Sequence, residues 1–168
     1  MPPPGVPARL VLHRGQFVLY PKGKRLLTHR RARWAWWTVE LFDGNGHCTW
    51  LKRWTLFSWR GWELYLHHWL HDDWSQHHHD HSRAMLSIGL WGAYTEHVLG
   101  QPAQRWHAPW ARGFPATHRH YITLDTKTVW TLVLAWPQSH HSGFYVDGVR
   151  VGVQAYLRSP EATQQKRC

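Results

Sequence analysis

Histidine, the residue type that binds borderline transition metals well, occurs in a short run at His77-His78-His79-Asp80-His81. A second group, Pro115 to His120, follows about forty residues later. Side chains two residues apart on an extended strand point to the same side, so His79 and His81 can bind one ion together. His120 follows an interval long enough for the chain to leave along one strand and return on others. Three neutral imidazoles would leave coordination positions open for water or substrate, as catalytic metal sites require.

The abundance of histidine supports a simpler interpretation of the same run. The chain contains 16 His, so an H-x-H pattern arises by chance more easily than in most proteins. An exposed polar loop, or a surface that binds metal adventitiously, would have the same sequence. The metal hypothesis therefore depends on the two histidine groups together.

A competing register uses the other side of the same strand. His78-x-Asp80 is also the H-x-D half of the two-histidine-one-carboxylate triad of 2-oxoglutarate oxygenases. His140 would then be the distal ligand and Arg150 the cation that binds a carboxylate. Strict alternation downstream favours this even-numbered face as the buried one. The even-numbered side is apolar (Ala84, Leu86, Ile88, Leu90), whereas the odd-numbered side is mixed (Arg83, Met85, Ser87, Gly89).

Six segments together carry a resemblance to a known family. They are Leu51–Trp54, Leu64–His67, His79–Glu96, Phe114–His120, Thr131–Leu134 and Gly143–Phe144. In this order they resemble the cupin superfamily, and more narrowly small cupin-like proteins of bacteria and tailed phages. Those proteins share an HDH segment, a G-x-Y-x-E segment, an H-R-H segment and a TLVL strand. The resemblance covers roughly residues 50 to 147.

The resemblance implies an all-β fold, a cupin-type double-stranded β-helix (jelly-roll barrel) with an N-terminal β extension. It matches His79, His81 and His120 to the three histidine ligands. Apart from the resemblance, Glu96 is interpreted either as a surface strand residue or as a hydrogen-bond partner of a metal-bound histidine, and His118 as a candidate for the same partner role. This second motif favours the odd-numbered register, because no comparable motif surrounds His140 and a β-bulge can reset alternation. The chain departs from the pattern at the acidic ligand.

Where cupins have a glutamate ligand, the chain has Ala84-Met85, which leaves a three-histidine site similar to that of thiol dioxygenases. The expected function is therefore a mononuclear, dioxygenase-like non-haem metalloenzyme acting on a small molecule. Fe(II) is the favoured divalent metal, with Zn, Mn and Ni as alternatives. By resemblance, a homodimer is also expected.

The basic charge supports a function of a different class. Lys and Arg outnumber Asp and Glu by 20 to 10, and the chain contains 14 Trp. A non-enzymatic basic, Trp-rich module could bind nucleic acid, another polyanion or an acidic protein, within a phage particle for example. The missing glutamate ligand is its best support, although no helix-turn-helix, zinc-finger or RNA-binding signature is present.

Composition also predicts the compartment and the domain organisation. Cys48 and Cys168 cannot form a disulfide framework, which favours a reducing compartment. No signal-peptide pattern or membrane-length apolar run is found, so a cytoplasmic protein without a membrane partner is expected. The predicted units are a flexible Pro-rich arm (1–8), a single barrel domain (9–157) and a basic tail (158–168).

Alternation and turn residues predict the elements. Strands are expected at Arg9–Tyr20, Arg30–Phe42 and Val149–Tyr156, with hairpins at Arg60-Gly61 and Asp147-Gly148. Almost no helix is expected. Asp72 and Asp73 are interpreted as solvated loop carboxylates.

Overall fold

A computed structural model describes residues 8–13, 16–21, 37–42, 49–73 and 75–161. Within these ranges nearly all regular structure is β-strand. The strands are β1 (Ala8–His13), β2 (Gln16–Pro21), β3 (Trp37–Phe42), β4 (Thr49–Trp59), β5 (Trp62–Trp69), β6 (Met85–Trp91), β7 (Ala93–Val98), β8 (Gln104–His107), β9 (Trp110–Phe114), β10 (His120–Leu124), β11 (Val129–Ala135), β12 (Gly143–Val146) and β13 (Val149–Gly152). One short helix, α1 (Val153–Tyr156), follows β13.

Two antiparallel sheets form the body of the domain. The larger has the order β3-β4-β5-β11-β6-β9, and the smaller has the order β10-β7-β8. The segment around His79 extends the smaller sheet, because the His79 and His120 backbones exchange N–H···O bonds of 2.9 and 3.1 Å.

This strand order identifies the fold. From β5 onward there are eight strands if the His79 segment is counted as the second, and every consecutive pair crosses between the sheets except the fourth and fifth, β7 and β8. One sheet then has the order first, eighth, third, sixth, and the other has the order second, seventh, fourth, fifth. This is the strand order of a jelly roll, or double-stranded β-helix, so the predicted fold is confirmed.

Two predicted hairpins are confirmed. Arg60 (φ 46°) and Gly61 (φ 87°) connect β4 to β5, and Asp147 (φ 48°) and Gly148 (φ 80°) connect β12 to β13. Two-residue hairpins with positive φ at both central positions match the right-handed twist of the strands.

The larger sheet buries its mixed face and leaves its apolar face half exposed. Tyr65, Val133 and Ser87 lie opposite one another in register and are all buried. On the other face, Leu66 and Leu132 are only half buried. Aromatic rings cover part of this outer face, where Trp130 stacks on Trp54 (centroids 5.7 Å apart) and on His68 (4.0 Å apart). The odd-numbered side of β6 therefore faces inward, against literal alternation.

The C-terminal strand prediction was too long. β13 ends at Gly152, and α1 begins directly after it. The helix turns the chain back so that Tyr156 is fully buried and stacks on Phe144 at 4.0 Å.

At the N-terminus, the predicted strand 9–20 is a hairpin of β1 and β2, and the strand predicted from Arg30 is described from Trp37 onward. The predicted Pro-rich arm lies outside the described residues except for Ala8, as do residues 162–168 of the basic tail. In the described part of the chain, no helix has the length and apolarity needed to cross a membrane.

Candidate metal centre

The segment from His78 to His81 is extended and lies between β10 and β12. Besides the His79–His120 pair, the Asp80 N–H donates to the Gly143 carbonyl at 3.0 Å, and the His81 N–H donates to the Ala116 carbonyl at 2.9 Å. The backbone position of His79 and His81 is thus fixed by hydrogen bonds to other strands and loops. Alternation along the segment places their side chains on one side and that of Asp80 on the other.

The structure brings His79, His81 and His120 together. One ring nitrogen from each lies within 4.8 Å of the others, and the ring centroids are 4.9 to 5.3 Å apart. The Nε2 atoms of His81 and His120 are 2.7 Å apart. Three imidazoles from two distant parts of the sequence therefore converge on one point.

Glu96, on β7, lies directly behind His120. Its Oε1 accepts hydrogen bonds from Nδ1 of His120 and, at 2.9 Å, from Nε2 of His118. Its Oε2 accepts from Arg112, whose guanidinium lies over the Trp106 ring at 4.4 Å. Glu96 is 1% exposed. Both residues predicted as partners of a ligating histidine thus contact one another, and Glu96 contacts His120 directly.

Burial and hydrogen bonding set the charge states in this group. Burial alone would raise the pKa of Glu96, but the hydrogen bonds from His118, His120 and Arg112 outweigh it and lower the pKa. Burial lowers the pKa of His120 and outweighs the opposite effect of Glu96. Burial also lowers the pKa of His81 well below its usual value, and the neighbouring histidines add to this effect. His81 and His120 are therefore neutral at neutral pH, the form that binds metal.

The donor set fits a metal ion. Because Nδ1 of His120 donates to Glu96, its Nε2 carries a lone pair that points toward Nε2 of His81. Two ligand atoms bound to one ion with bonds of about 2.1 Å lie roughly 3 Å apart. The Nε2 atoms of His81 and His120 are close to that separation. A carboxylate that fixes the tautomer of a ligating histidine is the usual arrangement behind such a ligand.

A second group of side chains that could hold a metal shares His120. It consists of Glu96, His118 and His120. Only the first group opens onto the interior cavity of the barrel, because Glu96 and His118 do not line it. The first group is therefore the one that a substrate could reach.

The competing register is brought together only in part, because His140 Nε2 lies 3.8 Å from Asp80 Oδ2 but His78 does not join them. Asp80 accepts hydrogen bonds from Gly143 N–H (2.6 Å), Arg150 Nε (2.9 Å) and Tyr145 O–H (3.1 Å). His78 packs edge-on against Tyr121, and among the described residues no group with converging ligand atoms includes His78, Asp80 or His140. The reason is that the even-numbered side of the segment faces the β12–β13 hairpin, where Arg150 binds Asp80.

The three histidines form part of the wall of a cavity of about 230 Å³ between the sheets. Aromatic rings contribute much of the rest of the wall, including Trp50, Trp69, Tyr94, Trp110 and Phe144. The indole of Trp110 covers Gly89, where an added Cβ would lie 2.2 Å from the ring nitrogen. The cavity is thus apolar over much of its surface, with a few polar groups.

Three polar residues of this wall were not singled out as site residues in the sequence. Arg53 and His67 lie opposite each other on β4 and β5, and Asp73 lies in the loop after β5. Asp73 was predicted to be solvated but is only 6% exposed, and its carboxylate accepts the Ile122 N–H at 2.9 Å along the edge of β10. Burial raises the pKa of Asp73 to about 7. The mixed face of β5 indicated His67 as a core or pocket histidine, whereas no comparable pattern on β4 indicated Arg53.

Comparisons with known proteins yielded similar structures only. No protein-family model and no curated protein matches the chain. Solved structures that match include a DMSP lyase (22% identity, 51% of this chain and 46% of that chain, TM-score 0.43). Another is HppE with Fe(II) (10% identity, 59% and 55%, TM-score 0.49). A cupin superfamily protein from Desulfitobacterium hafniense also matches (12% identity, 60% and 84%, TM-score 0.45).

The chain spans about half the length of each of the first two of these structures. Because each TM-score is below 0.5, the fold rests on strand order and not on the superpositions. The strand order agrees with the fold that the sequence motifs predicted, and the chain has a jelly-roll fold.

Proposed function

We propose that this protein is a mononuclear metalloenzyme of cupin type that acts on a small molecule in the barrel cavity. His79, His81 and His120 would hold a divalent ion, with Fe(II) favoured and dioxygenase-like chemistry as the leading reaction class. The observation that carries the proposal is the convergence of these three imidazoles at the cavity wall, with Glu96 fixing the tautomer of His120.

The bound ion would supply Lewis acidity or, as Fe(II), activation of dioxygen. The residues of the chain do the rest. Glu96 keeps the proton of His120 on Nδ1, and Arg112 holds Glu96 in place. The aromatic wall excludes water from the cavity. Asp73, with a pKa of about 7, can hold or release a proton there near neutral pH.

Metal content of protein purified without an affinity tag tests this proposal. Loaded anaerobically with Fe(II) and desalted, the wild type should retain about one ion per chain. His79→Ala and His120→Ala should retain much less, since each removes a ligand. His107→Ala is the matched control, because His107 is exposed and bonds only to the adjacent Ala108 carbonyl. Equal metal content in all four proteins would refute the metal centre.

A second candidate, the non-enzymatic binding module, is favoured by exposed apolar side chains. Trp91 is 69% exposed and Leu90 49% exposed, at the end of β6. The basic segment Arg9–Arg33 lies largely outside the described residues. Binding to single-stranded DNA at two salt concentrations tests this function, since contacts to phosphates weaken steeply as salt rises. Absent or salt-insensitive binding would exclude it.

A further inference from the structure

Arg53 is a charged residue inside the same cavity as the three histidines. It lies on β4, opposite His67 on β5 and one strand further from the centre of the sheet. Its inward direction follows from the register, because residues directly opposite each other share a face and His67 is buried. The guanidinium and the histidine cluster therefore face one enclosed space.

The contacts of Arg53 leave part of its guanidinium without a partner. Its Nε donates to Nε2 of His67 at 2.9 Å, and its Cζ lies 4.5 Å from the centre of the Tyr65 ring. No hydrogen bond from its two terminal nitrogens to another residue of the described chain is found. These nitrogens carry four of the five N–H donors of an arginine.

No described carboxylate forms an ion pair with Arg53. The nearby Glu63 instead bonds to Arg83, at 2.7 Å, and to the Tyr65 hydroxyl. His67 adds no second positive charge, because burial, and then the charge of Arg53, lower its pKa well below the usual value. Among the described residues, the two guanidinium groups of Arg53 and Arg83 thus face a single nearby carboxylate, that of Glu63, which pairs with Arg83.

Arg53 is half-buried, and a charge partly removed from water without a counter-ion among the described residues is unfavourable, so this side of the cavity favours an anion. An arginine remains protonated at neutral pH even where burial lowers its pKa, as it does here. The Nε contact to His67 and the ring of Tyr65 fix the plane of the guanidinium. Its terminal nitrogens then present the planar geometry that matches a carboxylate.

We propose that Arg53 binds the carboxylate of a small organic acid, which places the rest of the molecule against the three histidines and the aromatic wall. The inference builds on the proposed function by naming the substrate class of that site. It concerns a part of the cavity on β4 that no metal ligand occupies.

Paired probes that differ only in charge test this inference. Acetate, benzoate and phenylacetate would each be titrated against the corresponding primary amide, with Trp fluorescence or calorimetry as the readout. The wild type should bind at least one acid about tenfold or more tightly than its amide, because a charge-assisted bidentate contact is available only to the acid. Arg53→Met should abolish that preference while amide binding stays as in the wild type, which shows that the cavity is intact. Arg53→Lys should retain part of it.

Arg105→Met is the matched control for the loss of one positive charge, since Arg105 is exposed and paired with Asp125. Its preference for the acid should equal that of the wild type. The inference is overturned if no acid is preferred over its amide, or if the preference persists in Arg53→Met. The same titration on metal-free protein separates the two proposals, because the Arg53 preference does not require a bound ion.

Discussion

Two buried carboxylates, one at the cavity wall and one at the β12–β13 side of the barrel, have pKa values shifted in opposite directions. Asp80 faces the hairpin, where Gly143, Tyr145 and Arg150 donate to it, and these contacts outweigh burial and lower its pKa. Asp73 faces the cavity, where Ile122 N–H is its main donor, and burial raises its pKa to about 7. Asp80, whose carboxylate accepts three hydrogen bonds, stabilises the fold. Asp73, whose carboxylate accepts one from Ile122 N–H, lies where a ligand would bind.

The largest effect is expected at Asp73 as pH changes. Because the folded chain keeps the Asp73 proton up to about pH 7 and the unfolded chain loses it near 3.8, stability falls as pH rises between these values. This fall in the free energy of unfolding is at most about 4 kcal/mol, because the Asp73 pKa is raised by about three units and each unit corresponds to about 1.4 kcal/mol. Asp73→Asn, which stays neutral, should be more stable than the wild type at pH 8, and the difference should shrink toward pH 4. Urea unfolding at both pH values measures this. Asp147→Asn, in the exposed β12–β13 turn, is the control.

The next largest effect is expected at Glu96. Glu96→Gln replaces the carboxylate that accepts from His120 and should weaken metal binding by about 10- to 100-fold, or roughly 1.4–2.7 kcal/mol. Competition with a chelator of known affinity gives the dissociation constant. An unchanged constant would mean that the carboxylate behind His120 does not orient a ligand.

Asp80→Asn should affect stability and leave metal binding unchanged. We expect a loss of roughly 2 kcal/mol at neutral pH, discounted because the Arg150 side chain is 41% exposed. Since the folded-state pKa of Asp80 is lowered, this stabilisation is present at neutral pH and disappears as pH falls through that pKa. Chemical denaturation and metal analysis on the same samples check both parts. If Asp80→Asn lost metal without losing stability, the β12–β13 side of the barrel would not differ from the cavity wall in the way described.

The smallest effect is expected at His78. Removing its edge-on contact with Tyr121 by His78→Ala should cost about 1 kcal/mol or less, without change in metal content. Thermal unfolding and metal analysis suffice. A metal-free His78→Ala protein would support the even-numbered register instead.

The fold could be predicted because its signals are local and repeated. Short strands, positive-φ turns at Arg60-Gly61 and Asp147-Gly148, and two histidine motifs in the right order all point to one architecture. α1 could not be predicted, since Val153–Tyr156 has no side-chain cap and continues an alternating pattern. The burial of Tyr156 against Phe144 determines its conformation.

The site could be predicted only in part, because the usual rule that the apolar face of a strand is buried does not hold around it. On β5 and β6 the mixed face lies inside, since it lines a cavity, and the apolar face lies outside. Alternation alone therefore assigns the faces incorrectly, and only the motif at His120 indicated the right register. Arg53 and Asp73 were missed because their roles depend on partners 14 and 49 residues away.

Tyr156 connects the end of the domain to the beginning of the histidine run. Its hydroxyl lies 2.9 Å from Oγ of Ser75 and 2.7 Å from Nδ1 of His77, four residues before His81. On the ribosome, the loop that precedes His79 cannot acquire these contacts until residue 156 has left the exit tunnel. The contacts that hold Ser75 and His77, just before the histidine cluster, are therefore among the last of the nascent domain to form.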